Sequence, residues 1–126
     1  MKFVVVGGGS MGKRRIRCLL ANEVPAQDIR SVDTREDRRQ EIGEQYGVET
    51  LGDFDAALAW GPDAVIISVP GSLHMQFCLA AARARKHVFC EVPLSTSLDG
   101  ADELMRLAIA NRRKQLAQAI WLRERI

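Results

Sequence analysis

Short β-branched runs alternate with longer amphipathic segments along this 126-residue chain, and that alternation leaves few folds open. Phe3-Val4-Val5-Val6 is a continuous apolar run of strand length, as a strand buried on both faces requires. Ile29 to Val32, Val48 to Leu51, Ala64 to Val69, Lys86 to Cys90 and Gln115 to Ile120 supply five more strand signals. Met11 to Ala21 reads as the first helix, with Met11, Arg15, Cys18 and Leu19 at helical spacing. Thr34 with Asp37 resembles a capping box opening a charged helix that Gly47 stops. Asp53 can N-cap a short helix ending near Trp60, before the Gly61-Pro62 break. Ser72 can cap a fourth helix and Ser97 a fifth, through about Arg113. Six strands alternating with five helices imply parallel βαβ units with right-handed crossovers. The expectation is a doubly wound α/β domain on a mostly parallel six-stranded sheet over residues 1–120.

The strongest chemical signal is Gly7-Gly8-Gly9-Ser10-Met11-Gly12, a G-x-G-x-x-G placed between the first strand and first helix. In that setting Gly7 permits a tight turn, Gly9 lets backbone approach a pyrophosphate, and Gly12 lets helix and strand pack closely. Ser10, Met11 and Gly12 would then offer helix-start N–H groups to the phosphates. Asp33 lies 21 residues beyond Gly12, at the end of the second strand. A carboxylate there can accept both hydroxyls of an adenosine ribose and would repel a 2′-phosphate, so NAD is favoured over NADP. Arg35 complicates this, since it could neutralise such a phosphate or lie against the adenine. Val69, Pro70 and His74 follow the fourth strand and Glu91 the fifth. All four fall on the carboxyl edge where doubly wound sheets bind ligands.

Composition narrows the partners. Residues 1–111 carry 13 basic and 15 acidic side chains, whereas residues 112–126 carry five basic and one acidic, so the formal charge of +2 belongs to the tail. Only 6% of residues are aromatic, which argues against a nucleic-acid groove with stacking platforms. No apolar stretch approaches the ~18 residues that span a bilayer. Cys18, Cys78 and Cys90 form no C-x-x-C pair and read as small buried hydrophobes of a reducing cytoplasm, with no metal site. The Lys13-Arg14-Arg15-Arg17 cluster reads mainly as a solvated helix face, and Trp60 as packing under its loop.

The glycine motif continuing as Lys13-Arg14-Arg15, together with Asp33, the Pro70 to His74 loop and Lys86-His87-Val88-Phe89-Cys90-Glu91-Val92-Pro93-Leu94-Ser95, resembles the nucleotide-binding half of the Gfo/Idh/MocA oxidoreductases. The resemblance runs over essentially the whole chain. It implies a Rossmann dinucleotide-binding domain of an enzyme that moves hydride between a nicotinamide cofactor and a sugar-like or other hydroxyl-bearing substrate. By that resemblance the Pro70 loop lines the nicotinamide, Glu91 contacts the nicotinamide-side ribose, and His74 shapes the pocket near the ring. Val92 departs from the pattern, standing where the family has a lysine that binds the substrate hydroxyl and assists proton movement. No catalytic acid or base is therefore assigned. Residues 121–126 read as the start of a connection to a C-terminal substrate domain, which makes the chain a fragment not competent alone. A surface left uncovered by that domain could self-associate into a homo-oligomer. Two rivals stand beside this reading: a stand-alone dinucleotide sensor without turnover, and a methyltransferase whose glycine loop holds S-adenosylmethionine.

Overall fold

The computed structural model describes residues 1–91 and 97–111. Five strands, β1 (Phe3–Val6), β2 (Ile29–Val32), β3 (Glu49–Leu51), β4 (Ala64–Ile67) and β5 (His87–Cys90), form one sheet in the order β3-β2-β1-β4-β5. Every neighbouring pair is parallel, with Phe3 opposite both Ile29 and Ala64. The helices are α1 (Ser10–Ala21), α2 (Glu36–Tyr46), α3 (Phe54–Ala59), α4 (His74–Arg83) and α5 (Ala101–Ala110). Among the described residues the sheet thus has five strands, not six. The sixth expected strand, Gln115 to Ile120, lies outside the described residues, as do Val92 and residues 121–126.

Alternation along β1 builds two cores. Val4 and Val6 join Val65, Ile67, Cys78, Ala81 and Leu104 under α3, α4 and α5. Val5 joins Ile16, Ile29, Ile42 and Ile66 under α1 and α2. A strand covered on both faces must be apolar at every position, which is why Phe3 to Val6 carries no polar residue. The order also sets a switch point: the chain steps outward from β1 to β2 and β3, then returns past β1 to β4 and β5. In open α/β sheets, ligands bind outside the carboxyl ends of strands at such a point.

Several local expectations need correction. Thr34 does not cap α2. The N-cap is Arg35, without a side-chain cap bond, and the Asp33 carboxylate accepts the Arg35 N–H at 2.8 Å just before the helix. Ser72 does not cap α4, since a 3₁₀ turn over Gly71–Leu73 precedes the helix and leaves Leu73 at its N-cap. The Ser97 hydroxyl accepts the Asp99 N–H at 3.2 Å, but α5 begins later, with Gly100 at its N-cap. The buried face of α1 is also rotated from that expected. Gly12 and Ile16 face inward while Met11 and Cys18 are exposed, because Gly12 touches β1's loop and fixes the roll of the helix. Cys18 is therefore no core residue. Cys78 and Cys90 are buried, and the neighbouring Cys78 thiol and burial together hold the Cys90 thiol protonated far above its usual range.

Gly47 and Asp53 act as the sequence predicts. Gly47 ends α2 in the left-handed region at φ 68°. Asp53 caps α3 by accepting the Asp55 and Ala56 N–H groups, each at 3.3 Å. Asp53→Ala removes both acceptors and should lower stability by about 1 kcal/mol, read as a lower urea midpoint at unchanged slope. Trp60 packs against the first core with the Arg30 guanidinium 4.3 Å from its ring centroid. No helix of the described residues is long and apolar enough to cross a membrane.

Candidate functional site

The glycine loop closes over the carboxyl end of β1. Gly7 sits at φ 103°, and a Cβ there would lie 2.3 Å from the Ser68 carbonyl oxygen, so both conformation and space demand glycine. A Cβ on Gly12 would lie 1.8 Å from the Gly7 carbonyl oxygen. This is the close helix–strand approach expected from the motif. Gly9 is different, because its nearest neighbour would be the flexible Arg38 guanidinium at 3.7 Å. The chain itself does not require glycine there. The start of α1, like that of α4, has no side-chain cap and no acidic residue in its first turn, whereas α2, α3 and α5 each carry acidic residues there. The positive end of its dipole is left open to an anion.

Asp33 stands beside this loop at the end of β2. Its Oδ2 accepts the Gly8 N–H at 2.8 Å and lies 3.5 Å from the Arg38 guanidinium, while Oδ1 accepts the Arg35 N–H. The carboxylate thus ties the glycine loop to the β2–α2 turn. Arg39 fastens the same turn, donating to the carbonyls of Asp33 at 2.8 Å and Thr34 at 3.0 Å. The Arg35 side chain points to Asp37 in a two-pronged pair of 3.1 and 2.7 Å. That bond holds the Asp37 carboxyl below, and the Arg35 guanidinium above, their ordinary values.

A cleft of about 210 Å³ opens between the ends of β1, β2 and β4. It brings together Gly7, Asp33, Arg35, Val69 and Pro70 from the sequence reading, and adds Arg38, Leu73 and Phe77. One wall is charged and the other apolar, with Phe77 braced edge-on against Phe54 at 5.1 Å. Val69 and Pro70 thus share one cleft with Asp33 and Arg35.

His74 and Glu91 lie elsewhere along the edge. His74 is 2% exposed and donates through Nε2 to the Val69 carbonyl at 2.7 Å, bracing the β4–α4 loop from beneath. Glu91, directly after β5, pairs with Arg15 of α1. Sequence reasoning missed Arg38 and Arg39, whose place in a charged run looked like any solvated helix face. It also missed Leu73 and Phe77. Arg15 offered one signal, its position within the helical stripe. Among the described residues no three His, Cys, Asp or Glu side chains gather as a metal site.

An open helix start beside a carboxylate-lined cleft suits a ligand with a phosphate group joined to a hydroxyl-rich ring. Comparison with known proteins gives the same direction. A family model for an oxidoreductase family with an NAD-binding Rossmann fold, GFO/IDH/MocA, matches residues 1–118. The chain is 34% identical to an inositol 2-dehydrogenase of Acidiphilium cryptum over 98% of its own length, and spans 37% of that relative. Among solved structures, GenD2 from gentamicin A biosynthesis in complex with NAD superposes with a TM-score of 0.79 at 25% identity, covering 90% of this chain and 32% of that one. A 3-ketoreductase from Actinomadura kijaniata, solved with NADP and TDP-benzene, does so with a TM-score of 0.77 at 28% identity, covering 90% of this chain and 35% of its own.

Proposed function

The chain belongs to the Gfo/Idh/MocA oxidoreductase family as its NAD-binding Rossmann domain, and from that premise we propose that it binds NAD, in preference to NADP, along the carboxyl edge of the sheet. The observation that carries this reading is the glycine loop at the switch point, packed against Asp33 at the mouth of the cleft. Gly9 leaves room that the protein does not use, and Ser10, Met11 and Gly12 begin a helix whose N–H groups can hold a pyrophosphate. Asp33 accepts the adenosine ribose hydroxyls. The apolar wall of Val69, Pro70, Leu73 and Phe77 receives the adenine at its inner end, and the Pro70 loop leads on towards the nicotinamide. Glu91 meets the nicotinamide-side ribose, and His74 holds that loop in place by its bond to Val69. Arg35 counts little for a 2′-phosphate because Asp37 already occupies its guanidinium.

When bound, the cofactor supplies the hydride chemistry, and the protein supplies binding and orientation. In the whole protein we assign the reaction to oxidation or reduction at a hydroxyl-bearing carbon of a sugar-like or cyclitol substrate. Support comes from the inositol 2-dehydrogenase relative. Proton movement falls to residues beyond this domain, since Val92 has no proton to exchange. Calorimetric titration of the chain with NADH, NADPH and S-adenosylmethionine tests the cofactor. NADH should bind more tightly than NADPH, and S-adenosylmethionine not at all. Binding of S-adenosylmethionine alone would overturn the reading.

A further inference from the structure

We propose that Arg15 is a positioning residue for Glu91, aiming its carboxylate at the ribose on the nicotinamide side. The inference rests on the reading of Glu91 given above and extends it to a side chain on another element. Glu91 follows β5 directly, two positions after Phe89, so both emerge on the face covered by α1. Arg15 reaches that place from the second turn of α1. Its guanidinium pairs with Glu91 Oε1 and lies 5.1 Å from the Phe89 ring centroid. The side chains of Arg15 and Glu91 are only 23% and 17% exposed.

A pair this far withdrawn from water is held in few positions, so Arg15 sets where the Glu91 carboxylate points. Arg15, stacked on Phe89, fixes one carboxylate oxygen of Glu91 in place, and the ribose takes the other. Two neighbouring cations of α1 are committed elsewhere: Lys13 pairs with Glu41, and Arg17 donates to the Tyr46 hydroxyl at 3.0 Å. A planar guanidinium suits this place because it can stack and pair at once, which an ammonium cannot.

The test uses the 126-residue chain, its variants Arg15→Gln, Arg15→Lys and Glu91→Gln, and two ligands. NADH engages both halves of the site, whereas ADP lacks the nicotinamide half. Arg15→Gln should weaken NADH binding about tenfold, with ADP changed by less than about twofold. Arg15→Lys should recover part of the loss, about threefold weaker than the parent, so the test survives poor folding of the glutamine variant. Combining Arg15→Gln with Glu91→Gln should be no worse than Glu91→Gln alone, since Arg15 acts only through Glu91. Equal losses for NADH and ADP in both Arg15 variants would mean that the pair is only structural, and would overturn the proposal. So would a fall in the NADH-to-ADP ratio for Glu91→Gln with none for either Arg15 variant, a result that leaves the Glu91 reading standing. An unchanged ratio for Glu91→Gln would instead remove that reading, and the proposal with it.

Discussion

Gly12→Ala is expected to cost about 3 kcal/mol or more of stability and to abolish dinucleotide binding. The added methyl would sit 1.8 Å from the Gly7 carbonyl oxygen and 2.8 Å from its carbon, both backbone atoms. No side chain can swing aside, so α1 must lift away from β1. Lifting it opens the core around Ile16 and moves the helix start off the carboxyl edge. Gly9→Ala separates the two effects, because its methyl would meet nothing nearer than 3.7 Å. It should cost at most about 1 kcal/mol, the loss for an N-cap glycine replaced by alanine, while still weakening NADH by crowding the phosphates. Urea unfolding and NADH titration of both variants check this. Equal stability loss at positions 9 and 12 would refute the division of roles.

The second large effect is at Asp33. Among the described residues Asp33 is the one carboxylate lining the cleft, and replacing it with asparagine frees Arg38, which it faces at 3.5 Å, to meet a phosphate. A 2′-phosphate facing the original carboxylate meets like charge, a penalty of several kcal/mol. Asp33→Asn should therefore weaken NADH about tenfold and tighten NADPH, so that the preference inverts. Titration with both nucleotides measures it. If the ratio of the two affinities stays where it was, Asp33 does not select the cofactor. Stability should fall modestly too, because the Gly8 and Arg35 N–H groups lose a charged acceptor.

Much of this site was legible in sequence because its features are local. The turn at Gly7, the helix start after it, the carboxylate closing β2 and the Asp53 cap each depend on a few consecutive residues. Arg15 and Arg38 were not legible, although their chemistry is equally simple. Each works through a residue far along the chain or across a turn, Arg15 through Glu91 and Arg38 beside Gly9 and Asp33. Composition describes both as members of charged runs, and only the roll of a helix separates a solvated arginine from a paired one. Thr34 shows the reverse error. The capping pattern was present, but α2 starts one residue later, with Arg35 at its N-cap.

The sequence by itself determined the order of strands and helices, the parallel α/β class and the position of the phosphate loop. Apolar runs, periodicity and glycines act within a few residues of chain, where backbone sterics and burial leave little choice. The tertiary structure alone decided that Gly12 sets the roll of α1, that Val69 and Pro70 line one cleft with Asp33, and that Glu91 is answered by Arg15. Those relations arise when crossovers bring distant segments to one edge of the sheet, and no local pattern encodes a distance of that kind.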